Sequence, residues 1–173
     1  MSENPNASAA ADSDALARYL HSHQIAAASG ERLFEQAAKV WKDTPQYEAL
    51  ARLAVEVDED KAELDALAHR LNAGISAPKN VIAWLGSQIS KVDPINPFRT
   101  PHGATGQLEL EALVTAVTGK SLLWETLQLV ARSDSRIDAG RMQELLDRAD
   151  RQIRELKDIL NASSAARFLP TEG

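Results

Sequence analysis

This chain has no cysteine. Disulfides, thiolate zinc sites, iron–sulfur clusters and cysteine nucleophiles are therefore excluded. Aromatic residues are scarce, at 5%. No apolar run approaches the ~18 residues of a membrane-spanning helix, so no membrane role is expected. A basic block is also missing, and the net charge is -6. Phosphate neutralisation needs clustered Lys and Arg, so a nucleic-acid partner is not expected. The N-terminus lacks the basic start and apolar core of a secretory signal, and a cytoplasmic location is the expectation. There is no G-x-S-x-G elbow, no glycine-rich nucleotide loop and no internal repeat.

What is present is an alanine-rich, helix-forming composition. Of 173 residues, 29 are Ala, and 25% are charged. This is globular composition of single-domain size. Residues 1–12 read as a disordered tail, 13–169 as one domain and 170–173 as a second tail. Helical patterning runs from Asp14 to Lys42. Thr44 is the expected N-cap and Pro45 the first residue of a second helix, which extends to Leu71. Asn72-Ala73-Gly74 would end it. A third helix is expected from about Gly106 to Arg132, and a fourth from about Asp138 to Arg167. Two short turns imply two antiparallel hairpins. Between them, 75–107 would be a long crossover, with a short extra helix from Ser76 to Val92 followed by the Pro- and Gly-rich stretch DPINPFRTPHGATG. The fold class is thus all-α, a four-helix bundle.

Alternating three-four spacing defines a seam on each helix. The first runs Leu16, Leu20, His23, Ala27, Gly30, Phe34, Ala37, Trp41. The second runs Leu50, Leu53, Val57, Asp60, Leu64, Leu67, Leu71. The third runs Leu110, Leu113, Val117, Lys120, Trp124, Leu127, Ala131. The fourth runs Met142, Leu145, Ala149, Gln152, Leu156, Ile159, Ser163, Ala166. Each seam is interrupted near its middle by one polar residue: His23, Asp60, Lys120 and Gln152. Their depths differ by only a few residues, or ~5 Å along an axis, so the four would form one interior layer. A buried Asp and a buried Lys each cost several kcal/mol unless paired. The leading reading is a satisfied polar layer that fixes helix register. A ligand or metal pocket and a misassigned solvated face are the alternatives. Gly30 and Gly119 stand mid-helix at a cost of about 1 kcal/mol each relative to Ala, which close helix approach or a neighbour's bulk would explain.

This arrangement resembles the ferritin-like superfamily: two hairpins, a long crossover, and polar residues projecting inward from all four helices. The first hairpin, together with Leu108-Glu109-Leu110-Glu111-Ala112-Leu113, Gly119-Lys120 and Trp124, is also similar to a small Ala-rich, actinobacterial-type family of unknown function. The resemblance implies a di-iron or di-manganese site built from Glu and Glu-x-x-His. That motif is missing. The residues three before His21, His23, His69 and His102 are Arg18, Leu20, Ala66 and Arg99. The reading is therefore a degenerate, metal-free bundle in which Lys120 stands where the ion would. It is non-catalytic or ligand-binding, with no cofactor. The alternative is a metal-binding or di-metal oxidoreductase with iron or manganese held by His23, Glu56, Asp60 and Glu111. A second alternative is a helical protein-interaction module.

Other candidates are weaker. His21 and His23 point to different sides of their helix. His69 would pair at the surface with Asp65, and His102 sits in the loop. Lys120 is the one Schiff-base candidate, and Asp60 beside it would oppose the necessary pKa shift. Trp41, Trp84 and Trp124 read as core or capping residues. Ile82, Trp84 and Leu85 would dock the short helix and form a candidate lid. Arg141, Glu144, Asp147, Arg148, Asp150, Arg151, Arg154, Glu155, Lys157 and Asp158 read as a solvated face of the fourth helix, which leaves room for a homodimer.

Overall fold

A computed structural model describes residues 5–71 and 100–168. They form four helices: α1 (Pro5–Val40), α2 (Tyr47–Arg70), α3 (Gly103–Val130) and α4 (Ala139–Phe168). Among the described residues there is no strand, and no helix is long and apolar enough to cross a membrane. The short extra helix, the Asn72-Ala73-Gly74 stop and the lid residues Ile82, Trp84 and Leu85 lie outside the described residues.

The helices form because their apolar residues recur on one face. On α2, Leu50, Leu53, Leu64 and Leu67 are almost wholly buried, each contributing about 1.5–3 kcal/mol relative to exposure. Leu110, Leu113, Leu127, Leu145 and Leu156 fill the facing positions on α3 and α4, as do Phe34 on α1 and Trp41 just after it. α1 packs on α2, α3 on α4, and α1 also on α3. Ion pairs from Glu63 to Arg141 and from Glu56 to Arg151 run in opposite chain directions, so α2 and α4 are antiparallel neighbours. Trp41, at the end of α1, reaches Glu109 near the start of α3. The end of α2 and the start of α3 therefore lie at opposite ends of a four-helix bundle.

Three local expectations are corrected. First, α1 begins at Pro5, well before Asp14, and takes in most of the segment expected as a disordered tail. Pro suits a first helical position, and Ala7, Ala9, Ala10 and Ala11 favour helix whether or not they are periodic. Second, Thr44 does not cap α2. Its hydroxyl donates to the Trp41 carbonyl at 2.7 Å and so closes α1, while α2 starts after Gln46 with no side-chain cap. Third, several charges expected on a solvated face of α4 reach across to α2: Arg141 to Glu63, Arg148 to Glu59, Arg151 to Glu56, and Glu155 to Arg52. At the surface such pairs contribute about 0–1 kcal/mol each.

The turns set the register. In the first turn of α3, Gly106 packs so closely on Pro101 that a Cβ would lie 2.3 Å from the Pro101 carbonyl oxygen. Before α4, the Asp138 carboxylate accepts from the Arg141 backbone N–H at 3.0 Å and caps that helix.

Candidate functional site

The interior of the bundle is not uniformly apolar. Asp60 on α2 and Gln152 on α4 are buried to 1% and 0% exposure. The Lys120 ammonium, entering from α3, donates to Asp60 Oδ2 and, at 2.6 Å, to Gln152 Oε1. The Gln152 amide donates in turn to Glu56 Oε2 at 2.9 Å and to Asp60 Oδ2 at 3.4 Å. The second Asp60 oxygen accepts from Arg148 Nη1 at 3.1 Å. Both Asp60 oxygens are thus satisfied by cations from two other helices. That is the condition under which burying a carboxylate is tolerable.

Three of the four polar seam residues therefore meet. His23 does not enter this hydrogen-bonded group. Its ring packs edge-on against Tyr19, with centroids 4.6 Å apart. Burial holds its pKa below the usual histidine range, because a partly desolvated imidazole resists charging. Sequence reasoning missed Arg148 as a partner of Asp60. It placed Glu56 only in a metal set, whereas Glu56 anchors Gln152 and pairs with Arg151.

Charge in the cluster is finely divided. Burial pulls the Lys120 ammonium down more strongly than the Asp60 carboxylate raises it. For Glu56, burial pushes the carboxyl up, but hydrogen bonds from Gln152 and Arg151 and the charges of Arg151 and Arg148 outweigh it, and the pKa falls below the usual range.

The alternative metal set is not assembled. Glu111 is exposed on α3, where it accepts from Gln107 at 3.1 Å. Among the described residues, no three His, Asp or Glu side chains are grouped to hold a metal ion. The structure also corrects the account of the mid-helix glycines. Among the described residues, a Cβ built at Gly30 or at Gly119 meets nothing within 4 Å. Neither glycine admits a close neighbour from the described residues. Both border a cavity of about 480 Å³ between α1, α2 and α3, within the size range of small-molecule sites. Ala27, Leu33, Phe34 and Ala116 supply its apolar walls, and His23, Asp60, Lys120 and Trp124 also border it. Trp124 is buried, and its indole N–H has no hydrogen-bond partner among the described residues. The polar cluster therefore opens on an apolar cavity.

No family model, curated protein or solved structure matches this chain.

Proposed function

We propose that this chain is a non-catalytic, ligand-binding cytoplasmic bundle of the ferritin-like type, in which a charge-balanced network occupies the place of a metal centre. The reading is carried by one observation: Lys120 reaches Asp60 and Gln152 beside a cavity large enough for a small molecule. The helix directions agree with it, since hairpins joined from opposite ends of a bundle are the ferritin-like arrangement. An ammonium beside a buried carboxylate supplies the positive charge that a divalent ion would otherwise supply there.

In this reading the network is structural and the cavity is functional. Lys120 and Gln152 hold Asp60 charged and fixed, and the small residues Gly30, Gly119, Ala27 and Ala116 leave the volume in which a ligand sits. The test is metal analysis of protein expressed with iron and manganese supplied. The expected result is metal far below one equivalent. Near-stoichiometric metal that the Asp60→Ala change removes would overturn the reading in favour of a metalloprotein.

A further inference from the structure

We infer that the cavity takes an uncharged, largely aliphatic molecule with one carbonyl-type oxygen, which accepts the third proton of the Lys120 ammonium. The inference rests on the ligand-binding reading above and adds the chemical class of the ligand.

Three features of the site select that class. The first is shape and polarity. The walls are methyl, methylene and ring carbon from Ala27, Leu33, Phe34 and Ala116, opened further by Gly30 and Gly119. Such walls favour apolar surface and reject bulky polar groups.

The second is the absence of spare charge. In the network beside the cavity the carboxylates of Glu56, Glu59 and Asp60 are matched by the cations of Lys120, Arg148 and Arg151. Lys61, at the cavity edge, is already paired with Asp65 at 3.1 Å and lies 3.9 Å from Glu31. Among the described residues beside the cavity, an anionic ligand would find no unmatched cation, and a cationic one would find Asp60, the carboxylate that borders the cavity, already held by Lys120 and Arg148. Burying either ion without a partner costs several kcal/mol.

The third is an excess of donors. An ammonium carries three protons, and Lys120 spends two of them, on Asp60 and Gln152. Trp124, bordering the same cavity, contributes a buried indole N–H that is itself without a partner among the described residues. Spare donors without spare charge call for a neutral acceptor. A carbonyl oxygen has the lone pairs and brings no proton of its own that would need an acceptor.

The experiment uses the full chain and three small probes of similar shape: cyclohexyl methyl ketone, ethylcyclohexane and cyclohexanecarboxylate. Binding is read from backbone and indole N–H resonances. The expected result is that the ketone binds about tenfold to a hundredfold more tightly than the hydrocarbon, the worth of one hydrogen bond to a charged group, and more tightly than the carboxylate. Gly119→Leu, which projects into the cavity and narrows it, should weaken binding of all three. Asp60→Leu combined with Lys120→Met removes the Lys120 donor without stranding a buried charge. It should erase the preference for the ketone and leave hydrocarbon binding intact. Equal binding of ketone and hydrocarbon, tightest binding of the carboxylate, or a ketone preference that survives the double change would each overturn the inference while leaving the cavity a ligand site. If none of the three probes perturbs the spectrum, the ligand-binding reading falls as well.

Discussion

The Trp41 indole donates to the Glu109 carboxylate at 2.9 Å, and so ties the first residue after α1 to the first turns of α3, 68 positions away. Both residues are buried. The Arg167 guanidinium lies over the Trp41 ring at 5.1 Å and adds a cation–π contact from α4. One indole therefore joins three helices at one end of the bundle. Replacing it with Phe keeps most of the apolar area and removes the donor to a buried carboxylate. Trp41→Phe should cost about 2 kcal/mol, the range for hydrogen bonds to charged groups. Chemical denaturation would measure it, and a change below a few tenths of a kcal/mol would show that the bond does not fix the hairpins.

The glycines at 30 and 119 give a prediction of opposite sign. Each lies mid-helix, and each would present a new Cβ that meets none of the described residues within 4 Å. Gly30→Ala and Gly119→Ala should each stabilise the protein by about 0.5–1 kcal/mol, from lower unfolded-state entropy. Thermal or urea melts would show it. Destabilisation by either change would mean that the helices approach more closely than the cavity implies.

His23 makes stability depend on pH. Its folded pKa lies below its unfolded value because burial resists charging. The unfolded chain therefore binds the proton first as pH falls, and stability should decline as pH drops through the ordinary histidine value of 6.5 toward the lower folded one. Glu56 acts later: its lowered pKa gives stability that is present above the unfolded carboxylate value and lost as pH falls through the folded one. His23→Phe should flatten the first slope and leave the second. Urea midpoints collected across that pH range would separate them.

The buried network was partly legible in the sequence because Asp60, Lys120 and Gln152 each interrupt a run of apolar residues at three-four spacing. A charged residue in such a seam has to find a partner, and depth along the helix indicates which residue that is. Arg148 was not legible. It stands among Arg141, Arg151 and Arg154, and nothing in the sequence distinguishes a guanidinium that bends inward from its solvated neighbours. The glycines failed differently. A helix spends the same conformational entropy on a glycine that admits a neighbour as on one that leaves a void, so only coordinates separate a close approach from a cavity. The start of α1 was missed because alanine supports helix without leaving a periodic trace.

The most direct measurement is a double-mutant cycle on Asp60 and Lys120, read by urea denaturation. Asp60→Ala leaves Lys120 buried without its carboxylate and should cost about 3–5 kcal/mol. Asp60→Ala together with Lys120→Met removes both charges and, set against Asp60→Ala and Lys120→Met alone, should recover much of that loss. If Asp60→Ala proves silent, or if the paired change costs as much as the two single changes added together, the carboxylate and the ammonium are not coupled inside this bundle and the account is contradicted.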